Sequence, residues 1–255
     1  MHALPYTLSR YIIVLLLSIS GAVDAQTITA TQNGKTTTTD IGISSSATPP
    51  ASAQPASPTP LPVIDPTKAL TGIAIVLALQ NGGYNLYMRH GTASVGQDAT
   101  ALAETPRWWE NCTLQRNLAV EGREQANKVG LAMRKLKVAL EAVKTSQFCR
   151  TRDTAYAMGI NPIEITEALN HQIGQRAGFD VNAARFRLLA TPPPLGSNSL
   201  MISHTHSSTR SEERAMSQMQ EAEIILYLPN GKGGADPVAR IALADWAALL
   251  ALSEK

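Results

Sequence analysis

Four residues of this chain have side chains that could bind and transfer an anionic group: Arg89, His90, Arg150 and His204. An arginine guanidinium can hold a phosphate or a carboxylate through two parallel hydrogen bonds. An imidazole can act as a nucleophile or as a proton-transfer group. Together these residue types favour an anion-binding site, and phosphate is the ligand that they suit best. Gly91 follows His90 directly and would let the backbone approach that ligand without an intervening side chain.

These four residues lie at the ends of predicted β-strands that are far apart in the sequence. Arg89 and His90 follow one apolar run, Arg150 follows a second, and His204 follows a third. In open α/β sheets, ligands bind beyond the carboxyl ends of the strands. We therefore expect the four side chains to converge on one crevice. The three strands are predicted at residues 84–88, 142–146 and 200–203.

The apolar residues between these strands have helical spacing. A first helix is predicted before Gly82-Gly83, which would end it, and a second follows the same spacing later in the chain. A third helix would begin at Cys149, and residues 223–229 and 238–242 flank a Gly-rich turn, which predicts a hairpin. The alternation predicts an α/β domain over residues 69–255, a three-layer α/β/α sandwich with a mostly parallel central sheet and an antiparallel edge. The spaced residues are Leu70, Ile73, Ala74 and Leu77 in the first helix, and Ala126, Val129, Gly130 and Met133 in the second.

The first 25 residues have the pattern of a secretory signal peptide. Arg10 precedes an apolar run over residues 11–17, and the small residues Val23 and Ala25 suit cleavage after Ala25. The alternative is an uncleaved membrane anchor, but a spanning helix needs about 20 apolar residues and this run is shorter. We therefore expect an exported protein, periplasmic or extracellular, with no stable membrane span after cleavage.

Residues 26–68 have the composition of a linker. They contain ten Thr, five Ser, seven Pro and five Ala, with no aromatic residue and no cysteine. Such a segment cannot bury enough apolar surface to offset the entropy of ordering it, so we expect a disordered tether. The predicted organisation is a signal peptide, this tether and one folded domain.

The chain has two cysteines, Cys112 and Cys149. Because export brings a protein into a compartment that permits disulfides, we expect the two to pair. The alternative is two buried free thiols. Neither cysteine begins the loop of a thiol phosphatase, because the residue six positions later is Leu118 in one case and Ala155 in the other, not arginine.

The overall charge argues against a nucleic-acid partner. The net charge is +2, and the 22 Lys and Arg residues are scattered with no run of five. A nucleic-acid-binding protein would show a basic stripe or a recognised module. We expect a small phosphorylated substrate instead.

Four short sequence blocks contain the residues named above. They are Tyr87-Met88-Arg89-His90-Gly91, then Gln115-Arg116-Asn117-Leu118 with Gly122-Arg123-Glu124-Gln125-Ala126, then Ser146-Gln147-Phe148-Cys149-Arg150 with Asp153-Thr154-Ala155, then Ile202-Ser203-His204. In type and order the blocks resemble the histidine phosphatase superfamily, in its phosphoglycerate-mutase-like branch. The likeness covers roughly residues 69–246, nearly all of the predicted domain.

This resemblance implies an enzyme in which His90 attacks phosphorus and forms a phosphohistidine. Arg89, Arg150 and His204 would bind the phosphoryl oxygens, and Arg116 is a further candidate for a phosphate or substrate contact. Two guanidinium groups and a second imidazole would supply the positioning and charge stabilisation that phosphoryl transfer needs. Nearby positive charge would also keep His90 neutral and nucleophilic. Neither a metal nor another cofactor would be required.

The resemblance also implies a general acid, and here the sequence departs from the family pattern. The branch often has Glu in a Leu-x-Glu setting, but the residue two positions after Leu169 is His171. Another branch has Asp directly after the second histidine, where this chain has Thr205. Glu167 is the first candidate acid and Glu164 the second. A member without the acid would suit substrates with good leaving groups.

Two alternative functions stay open at this point. His204-Thr205-His206 could hold a metal if a third ligand were supplied. The anion pocket could also belong to a non-catalytic module that binds phosphate or a phosphoglycan. The sequence favours an exported, metal-independent phosphomonoesterase, with sugar phosphates among the candidate substrates.

Overall fold

The structure, a computed structural model, describes residues 27–32, 35–40, 69–206 and 215–254. The chain divides into two compact units, Met1–Pro60 and Leu61–Lys255. The predicted signal peptide lies outside the described residues, as does most of the predicted linker. No helix among the described residues is both long enough and apolar enough to cross a membrane.

In the first unit, β1 (Thr27–Gln32) and β2 (Lys35–Asp40) form an antiparallel hairpin. These residues fall within the segment predicted to be disordered, so the expectation for residues 26–68 does not hold for this part of it. Threonine is β-branched and favours extended backbone, and the strands are joined in the sequence by Asn33-Gly34, a pair typical of two-residue hairpin turns. The low-complexity composition therefore concealed a local strand preference.

Six strands of the second unit form one sheet: β3 (Asn85–Arg89), β4 (Leu140–Thr145), β5 (Glu164–Ile165), β6 (Asn198–Ser203), β7 (Ile224–Pro229) and β8 (Ala235–Ile241). Their spatial order is β5-β4-β6-β3-β7-β8. The first four strands in that order are parallel, whereas β7 is antiparallel to both β3 and β8. The sheet is thus mostly parallel, and the predicted hairpin is the β7–β8 pair.

Helices cover both faces of this sheet: α1 (Ile73–Asn81), α2 (Val120–Lys135), α3 (Cys149–Ala157), α4 (Val181–Ala190) and α5 (Asp245–Ser253). The larger core lies between the sheet and α1, α2, α3 and α5, and a smaller one lies between the sheet and α4. Alternate strand residues enter the two cores, with Leu86 and Met88 on one side of β3 and Tyr87 on the other. The predicted α/β/α sandwich is confirmed.

The first predicted helix is present but buries a different face. Ile73, which hydrophobic spacing assigned to the buried side, is 49% exposed. Residues 73–79 are all apolar, so spacing could not select which side packs on the sheet. In α2, where polar residues mark the outer face, the four predicted positions are all buried. The buried residues of α1 are Ile75, Val76, Ala78 and Leu79.

Three adjacent strands, β4, β6 and β3, bring the predicted site residues to one edge of the sheet. Arg89 is the last residue of β3 and pairs in register with Ser203, the last residue of β6. The end of β4 is likewise in register with the end of β6. Because the three strands are parallel, the residues that follow them meet at the same edge.

Candidate active site

His90 follows β3 directly and is buried, with 6% of its surface exposed. Its Nδ1 lies 2.6 Å from the carbonyl oxygen of Gly91, and the Nε of Arg150 donates to its Nε2 at 3.2 Å. A carbonyl can only accept and a guanidinium can only donate, so Nδ1 carries the proton and Nε2 has a lone pair. Burial and then the charge of Arg150 lower the pKa of His90 to about 3. His90 is therefore neutral at neutral pH, with a nucleophilic Nε2.

Arg150, in the first turn of α3, is 4% exposed and joins several groups of the site. Its Nη1 donates to Asp98 Oδ1 at 2.9 Å and to the carbonyl of Arg116 at 3.3 Å. Its Nη2 lies 3.3 Å from Nδ1 of His204. The guanidinium carbon lies 4.3 Å from the centre of the Phe148 ring, within the range of a cation–π contact. These contacts hold the guanidinium between two imidazoles.

His204 follows β6 and is 2% exposed. Because Arg150 can only donate to its Nδ1, the ring proton lies on Nε2, which donates to Ser146 Oγ at 2.9 Å. Burial, followed by the charge of Arg150, lowers the pKa of His204 well below its ordinary value. The ring centres of His204 and His90 are 5.2 Å apart. Two neutral imidazoles therefore flank one guanidinium.

The other two predicted arginines lie at the margin of this group. Arg89 donates to a backbone carbonyl at 2.7 Å and from Nη2 to Glu221 Oε1 at 3.1 Å. Arg116 donates from its Nε to another backbone carbonyl at 2.9 Å. The charges of Arg89 and Arg116 contribute to the lowered pKa of His90, after burial and Arg150. Both arginines thus add positive potential to the site.

Asp98 belongs to the site and was missed by the sequence analysis. Its Oδ1 accepts hydrogen bonds from Nη1 of Arg150 and, at 2.8 Å, from the backbone nitrogen of Arg116. It lies in the irregular segment between β3 and α2, where no periodic pattern distinguishes one residue from the next. The only available signal was physical, since a buried arginine needs a counter-charge.

A disulfide between Cys112 and Cys149 confirms the predicted pairing and excludes the alternative of two free thiols. Cys149 directly precedes Arg150, and its backbone nitrogen donates to Gln115 Oε1 at 2.9 Å. Both Cys112 and Gln115 belong to the segment that also contains Asp98. That segment is therefore covalently joined to the residue beside Arg150.

The structure gives Gly91 a packing role within the protein. A Cβ at this position would lie 2.5 Å from the carbonyl oxygen of Gly122 in α2. The backbone nitrogen of Gly91 donates to Thr154 Oγ1 in α3 at 3.2 Å. Gly91 thus lets the backbone beside His90 pack closely on α2 and attach to α3.

A polar cavity of about 100 Å³ lies beside His204, and we call it the histidine cavity. The ring centres of His171 and His206 lie 5.8 Å and 6.3 Å from that of His204. His171 and Thr205 stand at the two positions where the sequence resemblance implies an acid, and both line this one cavity. The lining residues are His171, Gln172, Thr205, His206 and Ser217.

The two glutamates that the sequence offered as acids pair with basic residues. Glu167 accepts from Nη2 of Arg176 at 2.9 Å and lines a separate cavity that includes Trp108 and Trp109. Glu164, in β5, pairs with Lys144 of the neighbouring strand. The described contacts of these carboxylates do not include His90, Arg150 or His204.

The metal alternative for the His-x-His pattern finds no support in the described part of the chain. There, no three His, Cys, Asp or Glu side chains are arranged to hold a metal ion. Both ring nitrogens of His204 are engaged, with Arg150 and Ser146. The Nε2 of His206 lies 3.3 Å from Ser203 Oγ.

Known proteins match this chain at the level of structure. No protein-family model matches it, and no curated protein does. The protein histidine phosphatase SixA, solved with tungstate, is similar at 16% identity and a TM-score of 0.44, over 64% of this chain and 98% of that chain. A mycobacterial glucosyl-3-phosphoglycerate phosphatase is similar at 14% identity and a TM-score of 0.38, over 57% and 92%. A phosphoserine phosphatase from Entamoeba histolytica is similar at 11% identity and a TM-score of 0.38, over 63% and 97%.

These solved structures include members of the histidine phosphatase superfamily, which the sequence blocks resemble. The reaction has to be inferred from the side chains of the site.

Proposed function

We propose that this protein is an exported phosphomonoesterase that hydrolyses phosphate esters through a phosphohistidine on His90. The observation that carries the proposal is the Nε2 of His90, which is neutral, buried and 3.2 Å from the Nε of Arg150. A nucleophile directly beside a guanidinium is what in-line transfer of a phosphoryl group needs, because that reaction depends on positioning and charge stabilisation.

In the first step, Nε2 of His90 attacks phosphorus while the bond between phosphorus and the alcohol oxygen breaks. The leaving oxygen takes up the proton that the ester monoanion carries on a phosphoryl oxygen, so the alcohol leaves neutral. The Nδ1–H of His90 stays hydrogen-bonded to the Gly91 carbonyl, so the ring keeps its tautomer as positive charge develops on it. Water then attacks the phosphohistidine, the P–N bond breaks with its electron pair returning to Nε2, and inorganic phosphate leaves.

Arg150 would bind the phosphoryl oxygens with the donors that now contact His90 and His204. A guanidinium presents its N–H groups in a rigid fork that matches two phosphate oxygens. The Nδ1 of His204, which has a lone pair, can accept a hydrogen bond from a protonated phosphoryl oxygen of the ester monoanion. Arg89 and Arg116 would add to the positive potential that attracts the anion.

Metal independence follows from the same assignment, because side chains supply both the nucleophile and the charge stabilisation. Export is supported by the signal-peptide pattern and by the disulfide, since disulfides persist in oxidising compartments. Expression of the full chain followed by N-terminal sequencing tests export. We expect a mature protein that begins at Gln26, and an intact N-terminus in the membrane fraction would contradict this.

The catalytic proposal is tested with an activated aryl phosphate and excess chelator, comparing wild type with His90→Ala. We expect chelator-resistant turnover in the wild type and none in the variant. Acid-labile incorporation of phosphate from a radiolabelled substrate should follow the same pattern. If neither protein turns over substrate from acidic to neutral pH while phosphate still raises Tm, the non-catalytic binding module would be the better description.

A further inference from the structure

The neutral ring of His204 carries one proton, and its neighbours determine which of the two ring nitrogens holds it. Nη2 of Arg150 lies 3.3 Å from Nδ1 of the ring, and Ser146 Oγ lies 2.9 Å from Nε2. A guanidinium can only donate, whereas a hydroxyl can either donate or accept. The direction in which the Ser146 hydroxyl points therefore matters for the tautomer of His204.

Ser146 belongs to a chain of hydrogen bonds that runs in one direction. Its Oγ lies 2.8 Å from Thr151 Oγ1 and accepts from the backbone nitrogen of Phe148 at 3.3 Å. The Thr151 hydroxyl has two backbone carbonyls within reach, that of Phe148 at 2.8 Å and that of Ser146 at 3.1 Å. Because a carbonyl can only accept, Thr151 donates to the backbone, and the Ser146 hydroxyl donates to Thr151 Oγ1. Ser146 then offers a lone pair to His204.

Both ends of this chain require the same tautomer of His204. At one end the backbone carbonyls orient the two hydroxyls so that Nε2 donates, and at the other end Arg150 needs a lone pair on Nδ1. In the other tautomer an N–H on Nδ1 would face an N–H of the guanidinium. Ser146 and Thr151 are completely buried, so water does not readily replace a missing hydroxyl.

The lone pair on Nδ1 of His204 fixes the direction of Nη2 of Arg150. Among the described residues, Nε of this guanidinium donates to His90, and Nη1 donates to Asp98 and to the carbonyl of Arg116. These contacts and the one with His204 leave one N–H of Nη2 for a ligand. Nη2 and Nε are bonded to the same carbon, so the direction of Nη2 sets the donor beside the nucleophile.

We propose that Ser146 and Thr151 are positioning residues for phosphoryl transfer, which act through the tautomer of His204 on the orientation of Arg150. The inference rests on the proposed function, in which Arg150 binds the phosphoryl oxygens. The described contacts of the two hydroxyls include neither His90 nor the guanidinium of Arg150. Their effect on the phosphoryl site is therefore indirect and passes through the imidazole.

Thr151→Val and Thr151→Ser form a matched pair of variants. Valine has the shape of threonine without its hydroxyl, whereas serine keeps the hydroxyl and lacks the methyl group. In the Val variant the Ser146 hydroxyl loses its acceptor and donates to Nε2 of His204 instead, so the ring proton moves to Nδ1. In the Ser variant the wild-type tautomer should remain. The pair separates loss of the hydroxyl from a change in packing.

A second substitution tests whether Ser146 transmits this effect. Ser146→Ala, added to Thr151→Val, removes the hydroxyl that would donate to Nε2 of His204. Arg150 is then the neighbour that selects the tautomer, and the ring proton should return to Nε2. Persistence of the proton on Nδ1 in the double variant would show that Ser146 is not the connecting residue.

Two measurements on the full chain test the proposal. Long-range ¹H–¹⁵N spectra of protein labelled with ¹⁵N-histidine report the tautomer of His204, and calorimetry reports the Kd of inorganic phosphate. We expect the Nδ1–H tautomer in Thr151→Val with a phosphate Kd about tenfold weaker than in Thr151→Ser. A wild-type tautomer in the Val variant would overturn the proposal, and so would an equal Kd in the two variants.

The same measurements distinguish failure of this inference from failure of the proposed function. If the wild type hydrolyses an aryl phosphate but Thr151→Val keeps the wild-type tautomer and Kd, the phosphatase proposal stands and the positioning role is wrong. If no ester is hydrolysed, the two variants can still be compared by phosphate binding, and a difference between them would support the positioning role. A wild type that binds no phosphate would overturn both proposals.

Discussion

Asp98 and Arg150 form an ion pair in which Oδ1 lies 2.9 Å from Nη1, with side chains 10% and 5% exposed. Arg150 belongs to α3 and Asp98 to the irregular segment before α2, so the pair connects two parts of the fold. On its other edges the guanidinium contacts His90 and His204. The pair therefore orients the group that we expect to bind phosphate.

Asp98→Ala should destabilise the fold by about 3 kcal/mol, because loss of one partner leaves a buried charge uncompensated. Inorganic phosphate should then raise Tm more in the variant than in the wild type, since the bound anion replaces the missing negative charge. Thermal unfolding with and without phosphate measures both effects. Asp98→Asn retains an oxygen acceptor and should behave in an intermediate way. An equal rise in Tm for variant and wild type would argue against Asp98 as the counter-charge.

Acid should unfold this protein through its buried histidines. Burial is the main cause that lowers the pKa of His90, to about 3, and lowers the pKa of His171, His204 and His206. In the unfolded chain these rings titrate near pH 6.5. Between the folded and unfolded values the unfolded state binds more protons, so their stabilising contribution is complete above about pH 6.5 and is lost as pH falls. Each ring can contribute up to about 1.4 kcal/mol per pH unit.

Measurement of Tm between about pH 7.5 and 4 checks this expectation. We expect a steady fall in Tm below about pH 6.5 and a smaller fall when phosphate is bound, because the anion shields the site. His206→Phe removes one titrating ring and should therefore reduce the slope of Tm against pH. A constant Tm between about pH 6.5 and 5 would show that these histidines do not control acid stability.

Loss of the disulfide should weaken both the fold and the site. The sequence separation of 37 residues corresponds to about 4 kcal/mol on the chain-entropy model. A loss of that size would lower Tm by roughly 10 °C for a domain of this length. We also expect kcat/KM to fall several-fold in Cys112→Ser/Cys149→Ser, because the disulfide joins the segment of Asp98 to the residue before Arg150.

The matched control for the Cys112→Ser/Cys149→Ser variant is the wild type in reductant. Its Tm and its kcat/KM should equal those of the double variant. Reductant should leave the double variant unchanged. A lower Tm with unaltered kcat/KM would mean that the disulfide stabilises the domain without positioning the site.

The grouping of the candidate site residues was predictable because each follows a strand: His90 and His204 come directly after β3 and β6, and Arg150 lies in the first turn of α3, after β4. Apolar runs locate β3, β4 and β6, and parallel strands place their ends at one edge, so His90, Arg150 and His204 could be brought together from the sequence. The buried face of α1 was not predictable, because residues 73–79 are uniformly apolar. Only packing against the sheet and α5 determines which side is covered.

The place of a residue in the candidate site could be predicted within irregular segments only where a sequence motif included that residue. Asp98 and His171 both lie in such segments, and their roles depend on contacts with residues far away in the chain, namely Arg150 and His204. The choice of Glu167 as an acid shows the same difficulty. The resemblance to a branch that has a glutamate some way after the second arginine suggested it, whereas its described ion pair is with Arg176.

Glu167 offers a direct test of that choice. Its carboxylate pairs with Arg176, whose side chain is 67% exposed, and exposed pairs contribute little to stability. We therefore expect Glu167→Gln to keep kcat for alkyl phosphates within about twofold of the wild type and to leave the pH profile unchanged, because this carboxylate pairs with Arg176 and its described contacts do not include His90, Arg150 or His204. Arg176→Gln removes the other partner of the ion pair and should likewise leave kcat and the pH profile nearly unchanged.

Steady-state kinetics on ethyl phosphate and an aryl phosphate across pH check both variants. A large loss of kcat on the alkyl ester alone would instead identify Glu167 as the general acid, since a poor leaving group depends on proton donation and a good one does not.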